Sequence, residues 1–427
     1  MTALLLVGVF LLLVLCSVPV GVALGLGSLL YLVVGGESIV SLAQRATIGT
    51  NSFLLLAVPF FVMAGNLMNS GGVTRRLFGF AAALMGGFRG GLGHANVLGS
   101  MIFAGMSGSA VADAAGLGAI EIAAMREHGY DDDFSVAVTA ASATLGPIIP
   151  PSINMVVYAF LAEVSVGRLF LAGFIPGVLM GIAMMVLVHM YSVRRGYPKA
   201  PHTLVQVLAA CLRAVPAMLM PVILLGGIFL GIFTPTEAAV VASLYALLLG
   251  VLGYREVTIR KFYNVCVETL RTTATVMFII AMASVFAWVM AREQVPQTAG
   301  AYLLTITTNK YVVLLLLNLV LLVAGCFLDA VSAMIVLVPV LLPLQQQLGL
   351  DPVHLGLVIV LNLTLGNLTP PVGMVLYVVS SVSNVSLDRV IRATLPFLVP
   401  LVIVLGLVTY VPWLVLFVPD LVMGPAR

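Results

Sequence analysis

A succession of apolar stretches long enough to cross a bilayer governs what this chain can fold into. Residues 2–34, 168–190, 235–253 and 393–418 are almost continuously apolar, and about 20 such residues span the hydrocarbon core as a helix. Of the 427 residues, 62% are hydrophobic and 8% charged, a balance no water-soluble globular fold carries. Spans of this length suit helices, whose backbone groups satisfy one another in lipid, so the fold class is an all-α polytopic membrane protein. The first stretch is too long for a signal-peptide core and lacks a small-residue cleavage pattern, so it reads as a retained helix. Cys16, Cys211, Cys266 and Cys326 sit in apolar surroundings without a CxxC pair, which supports neither a disulfide framework nor zinc. The histidines show no metal-ligand spacing. Neither an organic cofactor nor a nucleic-acid partner is expected, because the formal charge of +3 is small and its distribution matters more than its sum.

Spans are expected at 2–34, 50–70, 134–160, 168–190, 214–233, 235–253, 264–290, 353–383 and 393–418. Two further apolar segments, 92–125 and 311–344, are interrupted by Gly105, Ser107, Gly108 and Ser109 and by Gly325, Asp329 and Ser332. Bent backbone at membrane depth is tolerated only where protein or a cavity surrounds it, so both segments read as re-entrant hairpins. That threading puts Arg75, Arg76, Arg89, Arg126, Arg194, Arg195, Lys199, Arg213, Arg255, Arg260, Lys261, Arg389 and Arg392 on one side. Arg45, Arg168, Arg292, Lys310 and Arg427 fall on the other. The richer side is expected to be cytoplasmic, with the N-terminus inside and the C-terminus outside.

The chain also repeats itself. Thr144-Leu145-Gly146-Pro147-Ile148-Ile149-Pro150-Pro151 matches Thr364-Leu365-Gly366-Asn367-Leu368-Thr369-Pro370-Pro371 at a constant offset in numbering (364 − 144 = 220). Gly105 and Gly325 keep that offset, and so do Gly129 and Gly349. Residues 1–200 are read as a first repeat, 201–234 as a connection with one extra helix, and 235–427 as a second repeat. The unpaired span makes the second copy enter from the opposite side. Inverted repeats with interrupted helices at corresponding positions point to a secondary transporter whose site lies at the repeat interface.

The interruptions carry the chemistry. Proline in a helix frees a carbonyl one turn earlier, and freed carbonyls are hard ligands suited to Na⁺, while half-helix N-termini face anions. One sodium site is expected from Ser107, Gly108, Gly146, Ile149 and Pro150, and a second from Gly325, Asp329, Gly366, Thr369 and Pro370. Ser152, just after the first Pro-Pro, is placed to offer a hydroxyl to a carboxylate. Glu237 reads as a helix-start residue complementing the dipole, and Asp131-Asp132-Asp133 as a solvated loop.

Gly-Met-Ser-Gly-Ser-Ala-Val-Ala-Asp-Ala (105–114), Thr-Leu-Gly-Pro-Ile-Ile-Pro-Pro-Ser (144–152), Gly-Ile-Phe-Thr-Pro-Thr-Glu-Ala-Ala (231–239) and Asn-Leu-Thr-Pro-Pro-Val-Gly (367–373) resemble the large membrane subunit of tripartite ATP-independent periplasmic (TRAP) transporters. The resemblance implies an elevator-type sodium symporter of the bacterial inner membrane, C-terminus periplasmic, working with a small four-helix membrane subunit and a periplasmic solute-binding protein. Its solute is expected to be a small carboxylate, selected largely by the binding protein. The chain begins with the large-subunit pattern, so the small subunit is expected as a separate chain. The family's substrate region maps onto Ser107, Ser109, Ser152, Asp329 and Asn367. Asp329 doubles as the acid expected to bind sodium.

Three other readings compete. A stand-alone sodium-coupled carboxylate symporter of the same broad superfamily uses similar hairpins. An intramembrane serine protease is suggested by GxSG at Gly105–Gly108 with His189 as base, but it leaves the repeat unexplained. Inverted broken helices suit alternating access better than a continuous channel.

Overall fold

Proline, glycine and short polar caps decide where the helices of this chain begin and end. The computed structural model describes residues 2–298, 307 and 309–425; Arg427 lies outside them. The stretch expected as one span over 2–34 is two helices, α1 (Thr2–Leu15) and α2 (Val20–Val34). They fold back on each other, with Gly27 against Leu6 and the Phe10 nitrogen. The break falls where Ser17 adopts a left-handed conformation (φ 63°) and Pro19 has no N–H to extend the ladder. Next come α3 (Val40–Thr50), α4 (Ala57–Ser70) and α5 (Val73–Met85). Neither α3 nor α5 was expected as a separate element; α5 is amphipathic and too short to span.

The first hairpin is α6 (Gly91–Ser107) and α7 (Ala110–Glu127). The first interrupted helix is α8 (Asp132–Ala143) and α9 (Ile153–Ala162). After it run α10 (Val166–Arg195), α11 (Leu204–Phe229), α12 (Pro235–Leu248), which ends in a π turn, and α13 (Ile259–Arg292). Glu237 acts at a helix start as expected: it forms a capping box with Thr234, and Pro235 opens α12. The second hairpin is α14 (Lys310–Phe327) and α15 (Ala330–Gln347), and the second interrupted helix is α16 (Pro352–Gly366) and α17 (Met374–Ser383). The span expected over 393–418 is again two helices, α18 (Leu387–Tyr410) and α19 (Trp413–Met423), parted at Val411–Pro412. Among the described residues, eight helices are long and apolar enough to cross a membrane, and both arms of the second hairpin are among them. The chain is a multi-pass membrane protein.

Elements at matching positions of the two sequence copies exchange partners. α15 packs on α9, while α7 packs on α17, so the second arm of each hairpin rests on the second half of the other copy's interrupted helix. α2 pairs with α13 and α12 with α4, and α4 meets α13 directly. At the centre lie α8 and α16, in which every residue of Phe134–Ala143 and of Val353–Gly366 is buried. A helix without a polar face belongs inside a bundle. Several of their polar side chains are met from neighbouring helices. Asn96 donates to Thr139 Oγ1 at 2.7 Å and accepts from Ser142 at 2.7 Å, and Asn362 donates to Asn318 Oδ1 at 2.5 Å. Buried polar pairs of this kind hold membrane helices in register.

The aspartate run is not a free solvated loop. Asp131 pairs with Arg195 at 2.6 Å, Asp132 with Arg126 at 2.7 Å and Asp133 with Arg389 at 2.7 Å. Arg126 also donates to the Ser383 carbonyl at 2.8 Å. Three successive carboxylates thus tie the ends of α7, α10, α17 and α18 together. The Tyr197 hydroxyl, with Arg195, holds the Asp131 carboxyl below the usual carboxylate range. Half-exposed pairs contribute about 0.2–1 kcal/mol each, so the clasp fixes position more than it adds stability.

Candidate functional site

Each hairpin tip sits on the interruption of its own repeat, and glycines make the approach possible. Gly108, at φ 62°, turns the chain between α6 and α7. A Cβ there would meet the Pro151 carbonyl oxygen at 2.8 Å and the Ile153 nitrogen at 3.1 Å. On Gly146 a Cβ would lie 2.7 Å from Asp113 Oδ2 and 3.1 Å from the Ser109 carbonyl carbon. Only glycine lets these backbones come so close. In the second repeat a Cβ on Gly325 would meet the Gly366 Cα and the Leu363 oxygen, both at 3.0 Å, and the Gly373 N–H donates to the Cys326 carbonyl at 3.3 Å. Both Pro-Pro peptide bonds, Pro150–Pro151 and Pro370–Pro371, are cis.

The first tip gathers two helix N-termini. Ser109 caps α7, accepting from the Ala112 N–H at 3.4 Å, and Ser152 caps α9, accepting from the Met155 N–H at 3.2 Å. Each hydroxyl keeps its proton to donate. Paired N-termini with donor caps favour a carboxylate, because the first-turn N–H groups carry partial positive charge. Among the described groups, none donates to the carbonyls of Gly146, Ile149 or Pro150. Asp113, 2% exposed, completes the cluster. Its Oδ1 accepts from the Ser107 hydroxyl, and its Oδ2 is buried without a hydrogen-bond partner among the described residues. A buried carboxylate oxygen beside free carbonyls fits a hard monovalent cation, which would supply the missing charge.

The second tip differs. Thr369 and Pro370 have carbonyls that accept from no described group, while the Gly366 carbonyl takes the Thr369 N–H at 2.9 Å. Asn367, 6% exposed, has a buried Oδ1 without a described partner and offers a neutral side-chain oxygen beside them. Asp329 stands where the first repeat has Ser109 (329 − 109 = 220) and caps α15, accepting from the Ser332 N–H at 2.9 Å and from the Ser332 hydroxyl. It lines a cavity of about 520 Å³ with Pro19 and the first turn of α2 (Val20, Gly21, Val22) and with Ala274, Thr275, Phe278 and Ile279 of α13. The structure therefore brings Gly325 to Gly366 as expected, but the described contacts of Asp329 lie with Ser332 and this cavity rather than with Thr369 or Pro370. Asparagine caps a helix about as well as aspartate. Asp329→Asn is expected to keep wild-type thermal stability and to lower the maximal uptake rate more than it shifts the sodium concentration for half-maximal uptake. A shift in half-saturation with the maximal rate unchanged would return Asp329 to the ion site.

One residue the expected set omitted stands out, Asp113, and Asn367, expected in the substrate region, has a buried side-chain oxygen without a described partner. Asp113 lay in plain view as an acid in a hairpin, but only the fold shows it turning back on Ser107 and Gly146. His189 meets His94, ring centres 5.9 Å apart. His94 and Ser107 stand near opposite ends of α6, about 20 Å apart along the helix axis, so Ser107 has no base there. Among the described residues, no group of three His, Cys, Asp or Glu side chains could hold a metal.

Residues 7–414 match the family of the tripartite ATP-independent periplasmic transporter DctM component. The sialic acid TRAP transporter large permease protein SiaM of Vibrio cholerae is 46% identical over 412 residues, covering 96% of each chain. The C4-dicarboxylate TRAP transporter large permease protein DctM of Pseudomonas aeruginosa is 42% identical over 400 residues, covering 93% of this chain and 94% of that one. The crystal structure of the Alcanivorax borkumensis YdaH transporter has the same fold, with a TM-score of 0.64 at 15% identity over 87% of both chains. These relatives are transporter permeases, not enzymes. By a match running nearly end to end, the chain belongs to the DctM family, the large membrane permeases of tripartite ATP-independent periplasmic transporters.

Proposed function

We propose that this permease imports small carboxylate-bearing solutes into the bacterial cell across the inner membrane, driven by sodium and supplied by a periplasmic binding protein, with a small four-helix subunit as its membrane partner. The observation that carries the proposal is the double seating of a hairpin tip on a carbonyl-bearing Pro-Pro interruption. The partner exchange between matching elements of the two sequence copies supports inverted repeats with re-entrant hairpins, N-terminus cytoplasmic and C-terminus periplasmic. It also supports an elevator in which α6–α10 and α14–α19 move against α1–α4 and α11–α13. Residues 1–200 and 235–427 would be the two copies, joined through 201–234.

Sodium would be held at the first tip by the Gly146, Ile149 and Pro150 carbonyls with Asp113, Ser107 and Gly108. At the second it would be held by the Gly366, Thr369 and Pro370 carbonyls with Gly325 and Asn367. Na⁺ would supply the positive charge that lets Asp113 stay ionised beside an anionic solute. Ser109 and Ser152 would receive the solute's carboxylate. Asp329 repels a carboxylate and accepts from hydroxyl groups, which would turn a hydroxyl-bearing acid with its carboxylate toward the first tip. SiaM and DctM are named for sialic acid and for C4-dicarboxylates, both carboxylate-bearing.

The test is uptake by proteoliposomes holding the permease with its two partners. Uptake is expected to require an inward sodium gradient and to fall at least tenfold without it. Equal uptake driven by a proton gradient in sodium-free buffer overturns the coupling, and full uptake without the binding protein overturns the tripartite supply in favour of a stand-alone symporter.

A further inference from the structure

We propose that this permease holds the phosphate headgroup of an anionic phospholipid in a basic cavity between α5, the start of α11 and the turn after α12. The cavity measures about 760 Å³ and is lined by Arg75, Arg76, Arg213, His202, Gln206 and Tyr254, with Glu256 as its acid. That is within the roughly 300–1,000 Å³ usual for ligand sites.

The charges in it are unequal in their commitments. Arg76 pairs with Glu256 at 2.7 Å, donates to the Gly72 carbonyl at 2.8 Å and lies 3.9 Å over the Tyr254 ring. Arg76 and Glu256 therefore cancel, and their geometry is fixed. Arg75 and Arg213 are exposed, and no side-chain hydrogen bond or ion pair holds either among the described residues. Two guanidiniums facing one polar recess recognise a phosphate, whose oxygens accept paired N–H donors. Arg75 also lines an adjoining cavity of about 310 Å³ that holds Lys261 and Asn264, which extends the positive wall.

A free anion would need no apolar neighbour, yet one is present. Leu247, Leu248, Val251, Leu252, Val257, Ile259 and Phe262, with Thr258 as the one polar residue type, line an apolar groove of about 360 Å³. The same short segment serves both sides: Tyr254 and Glu256 face the basic cavity, and Val257 faces the groove. Leu208 and Leu212 of α11 are exposed apolar residues, and Leu212 lines the basic cavity itself. A recess with cations at one end and a greasy channel beside it matches a headgroup with its acyl chains. Basic pockets between membrane helices bind anionic lipids, each arginine near the surface adding about fivefold in affinity.

The test uses the purified full chain in neutral detergent, with retention of phosphatidylglycerol and of phosphatidylcholine measured by native mass spectrometry. Wild type is expected to retain phosphatidylglycerol in preference to phosphatidylcholine, and Arg75→Gln with Arg213→Gln to weaken that retention at least tenfold. Arg75→Lys with Arg213→Lys keeps the charge and should keep most of the binding. Arg89→Gln with Arg194→Gln, a pair outside the cavity, should change nothing. Equal retention of both lipids, an unaltered Arg75→Gln/Arg213→Gln protein or an equal loss in the outlying pair overturns the site. Displacement of phosphatidylglycerol by inorganic phosphate at matching concentration overturns the lipid as its occupant.

Discussion

Asp113→Asn, in protein that reaches the membrane at wild-type abundance, raises the sodium concentration for half-maximal uptake by at least tenfold. Asparagine keeps the shape of the side chain and can still accept the Ser107 hydroxyl, so the packing of the α6–α7 turn survives. What disappears is the negative charge proposed to face the ion, on a side chain buried to 2% exposure whose Oδ2 has no described partner. An ion pair at about 4 Å is worth roughly 4 kcal/mol at an effective dielectric of about 20. Desolvation offsets much of that, but about 1.4 kcal/mol is enough for a tenfold change in affinity. Ser107→Ala is the comparison, because it removes the hydroxyl and leaves the charge, and its shift should be smaller. Initial uptake rate against external sodium decides between them. If Asp113→Asn transports with the wild-type sodium curve, Asp113 is a buried hydrogen-bonding residue and the carbonyls act alone.

The parts of this design that composition and spacing specify were legible in the chain. The apolar spans, the two interrupted hairpins and the repeated Pro-Pro motif all left linear marks, and so did the cap at Glu237, because each depends on residues close in sequence or on a constant offset. Reading 2–34 and 393–418 as single helices failed for one reason: hydropathy registers a run of apolar residues but not a reversal inside it. Pro19 and Pro412 were the only signals. The amphipathic α5 has too little hydropathy to be seen as a span and too few caps to be seen as a helix. At the site, the hairpin interruptions and the Pro-Pro breaks named Gly108, Gly146, Gly325 and Gly366 as expected ion-site residues, but their role in letting the backbones approach closely is visible only in the fold. The role of Asp113 depends on which atom its second oxygen faces across the hairpin. Asp131 and Asp133 depend on Arg195 and Arg389, which lie in later helices far along the chain. Such pairings exist only in three dimensions.

Gly366→Ala should abolish sodium-driven uptake, by more than tenfold, and lower the melting temperature of the purified chain by several degrees. The methyl group would lie 2.5 Å from the Gly325 carbonyl carbon and 3.0 Å from the Cys326 nitrogen. Those atoms are backbone, so no side chain can rotate away, and the tip of the second hairpin must lift from the interruption. Overpacking a close contact costs about 1–3 kcal/mol, and here the displaced atoms are those proposed to surround an ion. Gly406→Ala is the control: a Cβ on Gly406 of α18 has nothing within 4 Å, and alanine favours a helix, so uptake and stability should stay level. Sodium itself separates a packing defect from a lost site, because an ion bound only by the folded protein raises its melting temperature, and does so more the higher its concentration stands above the dissociation constant. Wild type and Gly406→Ala should both gain stability on adding sodium, and Gly366→Ala should gain less. A Gly366→Ala protein that transports normally and keeps the full sodium-induced rise would show that the second tip need not touch Gly366, and the carbonyls of Thr369 and Pro370 would then lose their claim to an ion.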